Sequence, residues 1–380
     1  QTLTKVQLPM AKQMIVLGIN QTVMAAVSFV VIAALIGAPG LGKPVVSALI
    51  IRNVGQGFVA GFAVVFLAIL LDRSTSAAAK KQTSFIPPSE KTLRNQRITK
   101  IILGIGALIS VYLSRTMLWA AVWPSELSVA KQVEMFTNDA TNWALKNLYF
   151  LTVGFKDFIS YSVLNPLESL LAGSPWYLTV GMVVAVALVI AEIRIAILAF
   201  VLSMSIVLSG LWYESMITLT QTIVGTLLTM IVGIALGIWT GRNDRLEKFL
   251  RPFLDAGQTL PAFVYLVPML GLFGPTRFTA IATGIVYSIP IVVKIVCEGI
   301  RAVPHSLVEA ATASGSTTYQ IITKVQLPAA KRTILLAVNQ GLIYVLAVVV
   351  IGGFVGSGGL GYLVIVGNSK PELQGKGLIA

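Results

Sequence analysis

The sequence predicts an all-α protein that crosses a lipid bilayer several times, and three observations support this fold class. Of the 380 residues, 56% are hydrophobic and only 11% are charged, whereas a soluble domain carries about 45–50% apolar and about 25% charged residues. Long apolar runs recur along the chain, and a helix needs roughly 20 such residues to span the hydrocarbon. A block of about 40 residues also occurs twice, which indicates a duplicated unit.

Nine apolar segments are candidates for membrane-spanning helices, and two of them are short. Prolines interrupt some of these segments, at Pro261, Pro268 and Pro290. Membrane helices tolerate such prolines where neighbouring helices satisfy the freed backbone groups. The predicted spans are Met14–Ile36, Gly57–Leu71, Ile101–Val122, Trp176–Ala191, Ile195–Leu211, Thr218–Thr240, Thr259–Phe273, Phe278–Val296 and Thr333–Val355.

The formal net charge of +13 is unevenly distributed, because 18 of the 28 Lys and Arg residues lie in four polar stretches. Cytoplasmic loops of membrane proteins are enriched in these residues. We therefore expect the four stretches to face the cytoplasm, and we do not interpret the charge as a nucleic-acid surface. Segment 123–175 is expected to be external, with short interfacial helices. The basic stretches are Gln1–Gln13, Asp72–Lys100, Gly241–Asp255 and Lys294–Arg332.

The chain contains one cysteine, Cys297, and one histidine, His305. These counts exclude an internal disulfide and argue against thiolate or histidine metal sites. We expect Cys297 to lie in the core, and we expect neither a catalytic residue nor a metal site in this chain.

The internal repeat is the most informative feature of the sequence. The hexapeptide Thr4–Pro9 recurs as Thr323–Pro328, and the match continues without a gap at an offset of 319 residues. From Thr4 to Gly42, 19 of 39 positions are identical in the two copies. Shared hydrophobicity does not explain this, because glutamine, asparagine, lysine, proline and glycine positions coincide.

The repeat divides the chain into parts of two units. Residues 1–73 are the C-terminal part of the first unit, 74–100 are a cytoplasmic linker and 101–380 belong to the second unit, with its core at 176–380. The first copy lacks the residues that precede the matched block in the second copy, and the second copy lacks the span that follows the matched block in the first. We therefore expect the sequence to be a fragment that lacks roughly 200 residues upstream and a last helix of about 20 residues downstream.

A spaced motif lies in the last basic stretch. It reads Glu309-Ala310-Ala311, three residues, Gly315, nine residues, and then Val325-Gln-Leu327-Pro328. The alanines permit close helix contact, the glycine permits a left-handed turn, and the proline suits the start of a helix.

This spacing resembles the signature of ATP-binding-cassette importer permeases of type I, which have a MetI-like membrane domain, with Val325 where isoleucine is usual. The resemblance implies two MetI-like helical bundles. It also implies a short coupling helix that docks on an ATPase subunit. Leu8 and Pro9 are then the end of the same motif in the first copy, and His305 belongs to the coupling surface.

A second resemblance narrows the family. The run Gln258-Thr-Leu-Pro261-Ala-Phe-Val-Tyr265-Leu-Val-Pro268 is similar to the corresponding stretch of permeases for glycine betaine, proline betaine and choline. Such permeases usually have one unit per chain, whereas two are fused here. Polar and aromatic residues are candidates for lining the solute pathway, although packing is an alternative role for Tyr265. These candidates are Gln258, Pro261, Tyr265, Asn339 and Gln340.

The resemblance implies a permease subunit in a bacterial plasma membrane that imports a compatible solute by alternating access. The sequence has no phosphate-binding loop of the G-x-x-x-x-G-K-[ST] type. ATP and Mg²⁺ are therefore expected on two partner ATPase subunits, and a solute-binding protein is expected to deliver the solute. The alternatives are import of another small solute, such as an amino acid or sulfonate, and an ATP-independent osmotic channel or carrier.

Two minor patterns complete the sequence-based expectations. Gly356–Gly361 matches G-x-G-x-x-G, but no strand precedes it, so an external turn is favoured over a dinucleotide site. The charged residues Glu192 with Arg194, and Lys294 with Glu298, lie within or beside predicted spans. A functional role inside the membrane is one alternative, and pairing near helix ends is favoured over it.

Overall fold

The computed structural model describes residues 7–35, 37–82, 90–117 and 127–380, and in these residues the regular structure is entirely helical. The first copy of the repeat forms α1 (Leu8–Leu35), α2 (Gly42–Ile51) and α3 (Val54–Gln82), and α4 (Glu90–Thr116) follows. The all-α prediction is therefore confirmed.

The described residues after α4 contain twelve further helices to which we give labels, short 3-10 turns at Gly352–Val355 and Pro371–Leu373, and one irregular helical segment. This segment, 318–329, consists of Thr318–Gln320, the wider π-helical turns Ile321–Gln326, and Leu327–Ala329. The labelled helices are α5 (Ala130–Asn147), α6 (Phe150–Leu171), α7 (Trp176–Ile190), α8 (Ile193–Leu208), α9 (Trp212–Arg242), α10 (Asp244–Thr259), α11 (Ala262–Phe273), α12 (Arg277–Arg301), α13 (His305–Ala313), α14 (Lys331–Ile351), α15 (Gly359–Ser369) and α16 (Gln374–Ile379).

Five helices of the described residues are long and apolar enough to cross a membrane, or up to seven if each of two bent helix pairs is one span. They confirm five predicted spans in position, although residues 118–122 of Ile101–Val122 lie outside the described part. Helix α1 lies on a sixth predicted span, Met14–Ile36, of which residue 36 lies outside the described part. Among the described residues, the number of helices that meet this criterion is lower than the nine predicted spans. The five helices are Val54–Thr75, Ile98–Thr116, Trp212–Arg242, Arg277–Arg301 and Lys331–Val355.

The three remaining predicted spans are short helices. Helices α7, α8 and α11 have 15, 16 and 12 residues. At about 1.5 Å per residue, α11 is about 18 Å long, which is less than the roughly 30 Å of hydrocarbon. Its length is limited by Pro261, after which the helix begins, and by Gly274 at φ 68° after its end. Helix α11 meets the preceding helix at a bend of 99°.

The bundle of the second unit is centred on the contact between α9 and α12. Small residues of α9, spaced four apart, face a ridge of α12. Gly233 and Gly237 lie so close to Val292 and Val296 that added Cβ atoms would be 2.5 and 2.6 Å away. Close approach at small residues is typical of packing between membrane helices, where dispersion forces replace the hydrophobic effect. Helix α14 packs on both α9 and α12.

The first copy packs on α11 of the second unit. Val31, Val45 and Val64 from α1, α2 and α3 are fully buried or nearly so, and they form one core with Phe263 and Leu266 of α11. The short helix α11 therefore joins the two units.

The two copies of the repeat fold alike at the glycine turn. Gly37 and Gly40 have positive φ, and so do their equivalents Gly356 and Gly359. A positive φ is unfavourable for other residues. The expected turn at Gly356–Gly361 is thus present, and it leads from α14 into α15.

Candidate functional site

Helix α13 carries the first part of the spaced motif. His305 and Glu309 are one helical turn apart on this helix, and Nδ1 of His305 lies 3.0 Å from Oε1 of Glu309. Both side chains are largely exposed, at 85% and 68%. None of the residues of α13 is buried. The Glu309, Ala310 and Ala311 positions therefore lie on a helix that is free to meet another protein.

The turn after α13 is set by Gly315. This residue has φ +76°, its N–H donates to the Thr312 carbonyl at 2.9 Å, and the Ser316 N–H donates to the Ala311 carbonyl at 3.0 Å. These two bonds form a Schellman motif, which favours glycine at its left-handed position. A Cβ atom added to Gly315 would have no neighbour within 4 Å. Backbone conformation, and not lack of space, is the reason for this glycine.

One side of α13 is anchored to the bundle. Val308 packs against a hydrophobic cluster at the end of α12 and the start of α14 that includes Ile300, Val303 and Ala330. Its neighbour Leu307 is 47% exposed. A force applied to the exposed side of α13 would therefore be transmitted through Val308 to the bundle.

The second part of the motif begins at a capping box. The Thr317 N–H donates to Gln320 Oε1 at 2.9 Å, and the Gln320 N–H donates to Thr317 Oγ1 at 3.3 Å. Within segment 318–329, Val325 and Leu327 are half-buried and Pro328 is exposed. Pro328 lies in the first turn of Leu327–Ala329, as expected for a residue without an N–H.

A buried glutamine ties segment 318–329 to α9. Gln326 is 6% exposed and its Oε1 accepts a hydrogen bond from Nη1 of Arg242, the last residue of α9. A separate ion pair joins Arg301 at the end of α12 to Asp244 at the start of α10, with Nη2 and Oδ1 2.6 Å apart. Sequence reasoning did not select Gln326, although its identity with Gln7 in the other copy was an available signal. The motif of the first copy ends at Leu8 and Pro9 in the first turn of α1, and their side chains lie outside the described part of the structure.

We call the exposed surface of α13 and segment 318–329 the coupling surface. It includes apolar side chains, among them Leu307 and Tyr319, the latter 75% exposed. Exposed apolar residues that lie next to charged ones are typical of protein interaction sites.

The candidate pathway residues fall into two groups. Gln258, Pro261 and Tyr265 lie together where α10 turns into α11, and the Tyr265 hydroxyl donates to the Gly257 carbonyl at 2.8 Å. Asn339 is exposed on α14 and Gln340 is half-buried there. The structure thus brings three of the five residues together, whereas Asn339 and Gln340 lie on another helix, α14.

The structure corrects the expected charge pairs. Lys294 does not pair with Glu298; its ammonium pairs with Asp255 and donates to Gln258 Oε1 at 2.6 Å. Helix α10 packs on α12, so Asp255 is a nearer partner than a residue one turn away. In the described part of the chain, Glu192 and Arg194 form no ion pair with each other. Cys297 is buried, as expected.

Sequence reasoning missed two aromatic residues. Tyr287 of α12 contacts Tyr265, with ring centroids 5.7 Å apart, and Tyr344 of α14 contacts Tyr287 at 5.5 Å. Gln340, one of the predicted pathway residues, lies one helical turn before Tyr344 in α14.

A known protein family matches part of the second unit. The family described as "Binding-protein-dependent transport system inner membrane component" matches residues 233–370, which include α13 and segment 318–329. Among solved structures, the chain is similar to a chain of the inward-facing MetNI methionine ABC transporter, at 27% identity and a TM-score of 0.36, over 39% of this chain and 74% of that one.

Two relatives illustrate the sequence similarity. The trimethylamine N-oxide transport system permease protein TmoV of Pelagibacter ubique is 32% identical over 100% of this chain and 53% of its own length. The chain therefore spans about half of that relative. The glycine betaine/proline betaine transport system permease protein ProW of Escherichia coli is 33% identical over 63% of this chain and 68% of its own length. On these matches, the chain belongs to the family of binding-protein-dependent transport system inner membrane components.

Proposed function

We propose that this chain is the permease part of an ATP-driven importer for a small compatible solute with a methylated ammonium group, such as glycine betaine, proline betaine, choline or trimethylamine N-oxide. The observation that carries the proposal is the exposed coupling surface on a chain of this family. The names of the relatives support the solute class, because they mention glycine betaine, proline betaine and trimethylamine N-oxide.

In this proposal, two ATPase subunits bind and hydrolyse ATP with Mg²⁺, and they push on the coupling surface. Val308 links that surface to the transmembrane core, and the Arg242 contact with Gln326 links it to α9. Movement of α13 would therefore be passed to the helix pair α9 and α12. An external solute-binding protein delivers the solute, and the helices rock between outward-open and inward-open states.

The test is transport by the complete complex in proteoliposomes. The full-length permease, its ATPase and its solute-binding protein are reconstituted, and uptake of radiolabelled glycine betaine, choline and trimethylamine N-oxide is measured with ATP inside or outside. We expect uptake only where ATP reaches the ATPase. The matched control carries an ATPase that binds but does not hydrolyse ATP, and it should transport nothing.

Two alternatives are separated by the same preparation. Uptake of an amino acid or sulfonate in place of methylated ammonium solutes would support another substrate on the same scaffold. Solute flux that needs no ATP, and that persists after Glu309 and Gly315 are replaced, would support an osmotic channel or carrier. No ATP-dependent uptake of any of these solutes would refute the proposal.

A further inference from the structure

Three tyrosines from three helices form a connected ring cluster. Tyr265 of α11 contacts Tyr287 of α12 with an interplanar angle of 62°, and Tyr287 contacts Tyr344 of α14 with an angle of 37°. All three side chains are only partly buried. The cluster therefore has ring surface that the described part of the chain does not cover.

Polar groups lie at one edge of this cluster. The Tyr265 hydroxyl is bonded to the Gly257 carbonyl, and the next residue, Gln258, accepts a hydrogen bond from Lys294. An added Cβ on Gly257 would be 3.4 Å from the Tyr265 hydroxyl. Because Gly257 and Gln258 are consecutive, the aromatic and polar groups are direct neighbours.

The polar edge has hydrogen-bond donors to spare. Gln258 Nε2 is shielded from solvent and has no hydrogen-bond partner. An ammonium group has three N–H donors, and that of Lys294 has two recorded partners, Asp255 and Gln258. A buried donor without an acceptor is unfavourable. An oxygen atom of a bound molecule at this edge would satisfy both side chains.

The charge of the site suits a molecule with both signs. The Asp255 carboxylate offsets the Lys294 ammonium, so a positive group over the tyrosines is not strongly repelled. Aromatic faces attract cations within about 6 Å of the ring centroid, and quaternary ammonium groups are common ligands of such faces.

We infer that Tyr265, Tyr287 and Tyr344, together with Gln258 and Lys294, form a binding site inside the permease for a small zwitterion. The methylated ammonium lies on the tyrosine rings, and the anionic oxygen accepts hydrogen bonds from Gln258 Nε2 and Lys294 Nζ. The inference rests on the proposed function and extends it, since the permease then selects the solute as well as conducting it.

The test is equilibrium binding of radiolabelled glycine betaine and choline to the purified full-length permease–ATPase complex without its solute-binding protein. Tyr287→Leu should weaken binding of both probes about tenfold, because it removes the central ring. Tyr287→Phe keeps the ring and should bind within about threefold of the wild type. Tyr213→Leu is the matched control, since Tyr213 is 56% exposed on α9 and contacts no other ring among the described residues.

The polar edge is tested by Lys294→Met and Gln258→Leu. Each should weaken glycine betaine binding about tenfold without weakening choline binding, because choline has no anionic oxygen, and Lys294→Met also leaves the Asp255 carboxylate free to attract the choline cation. These variants also provide the test if Tyr287→Leu does not assemble with the ATPase. The site is refuted if the wild type shows no saturable glycine betaine binding, if Tyr287→Leu binds like Tyr213→Leu, or if Lys294→Met weakens both probes equally.

Uptake in proteoliposomes separates failure of this site from failure of the proposed function. If the wild type imports glycine betaine and Tyr287→Leu leaves the KM of uptake unchanged, only the site is wrong. If the wild type imports no methylated ammonium solute, the proposed function itself is wrong.

Discussion

The two copies of the repeat have the same turn but different surroundings. In both, a glycine of the second helix touches the backbone of the first, since Cβ atoms added to Gly42 and Gly361 would lie 2.2 Å from the Val30 carbonyl oxygen and 2.0 Å from that of Val350. Nearer the start of the first helix, the surroundings of the two copies differ. Ala337 of α14 is fully buried against α9 and α12, whereas its equivalent, Gly18 of α1, has no atom within 4 Å of an added Cβ.

This difference separates the contacts within each copy of the repeat from the contacts that a copy makes with other helices. The helix–turn–helix contact is internal to each copy and is preserved. The outer face of the first helix depends on neighbours, and among the described residues α1 packs mainly on α2, α3 and α11. Four predictions test this division, from the largest expected effect to the smallest.

The internal contact should be equally necessary in both copies. Gly42→Val and Gly361→Val each place side-chain atoms on neighbouring backbone, which cannot move aside, so each should lower the free energy of unfolding by about 3 kcal/mol or more. Gly104→Ala is the matched control, because nothing lies within 4 Å of its added Cβ. Thermal unfolding of the detergent-purified protein measures both effects. Tolerance of one valine but not the other would show that the two turns are not equivalent.

The packing of the first helix against other helices should be necessary for stability in the second copy only. Ala337→Leu overpacks a filled core and should lower the free energy of unfolding by about 2 kcal/mol. Gly18→Leu, at the equivalent position of the other copy, adds a side chain to open space and should cost less than about 0.5 kcal/mol. Unfolding of the two variants is compared under the same conditions. Equal losses would mean that α1 is packed like α14, and the comparison would fail.

The coupling surface of the second copy should be sensitive to the turn conformation. Gly315→Ala keeps the open space but places a Cβ at φ +76°, which costs about 1 kcal/mol. ATP-dependent uptake should therefore fall about fivefold if the turn must hold α13 in place. Gly375→Ala, with no neighbour within 4 Å of its added Cβ and no positive φ, is the control. Uptake equal to that of the control would remove Gly315 from the coupling mechanism.

The smallest effect is expected at the exposed link between Arg301 and Asp244. Asp244→Asn removes an ion pair whose aspartate is 78% exposed, and exposed pairs contribute about 0–1 kcal/mol. We expect a loss of about 0.5 kcal/mol or less in chemical denaturation, and a smaller loss at high salt. A loss above about 2 kcal/mol would show that this link holds α10 and α12 together.

The parts that the sequence predicted well are those in which chemistry is local. The left-handed turn at Gly315 and the helix start at Pro328 follow from the residues themselves. The shared glycines of the repeat likewise predicted the turn at Gly356, because a positive φ selects glycine in both copies.

The parts that the sequence missed depend on tertiary neighbours. Spacing along a helix suggested Glu298 as the partner of Lys294, but the packing of α10 on α12 brings Asp255 closer. Tyr287 and Tyr344 are each the only tyrosine of an apolar helix, and only the helix arrangement brings them to Tyr265. Three predicted spans are short helices in the described residues, because an apolar run alone does not show that a helix begins only after Pro261 or that another ends at the break around Ala191.

Cross-linking at the coupling surface tests the central claim most directly. The sole cysteine, Cys297, is buried, so Leu307→Cys introduces an exposed thiol on α13, and Tyr213→Cys introduces one at the start of α9 as the control. A short bifunctional reagent is added to the complex copurified with its ATPase. We predict a cross-link to the ATPase from position 307 and none from position 213. No cross-link from position 307, or equal cross-linking from both positions, would contradict the assignment of this surface.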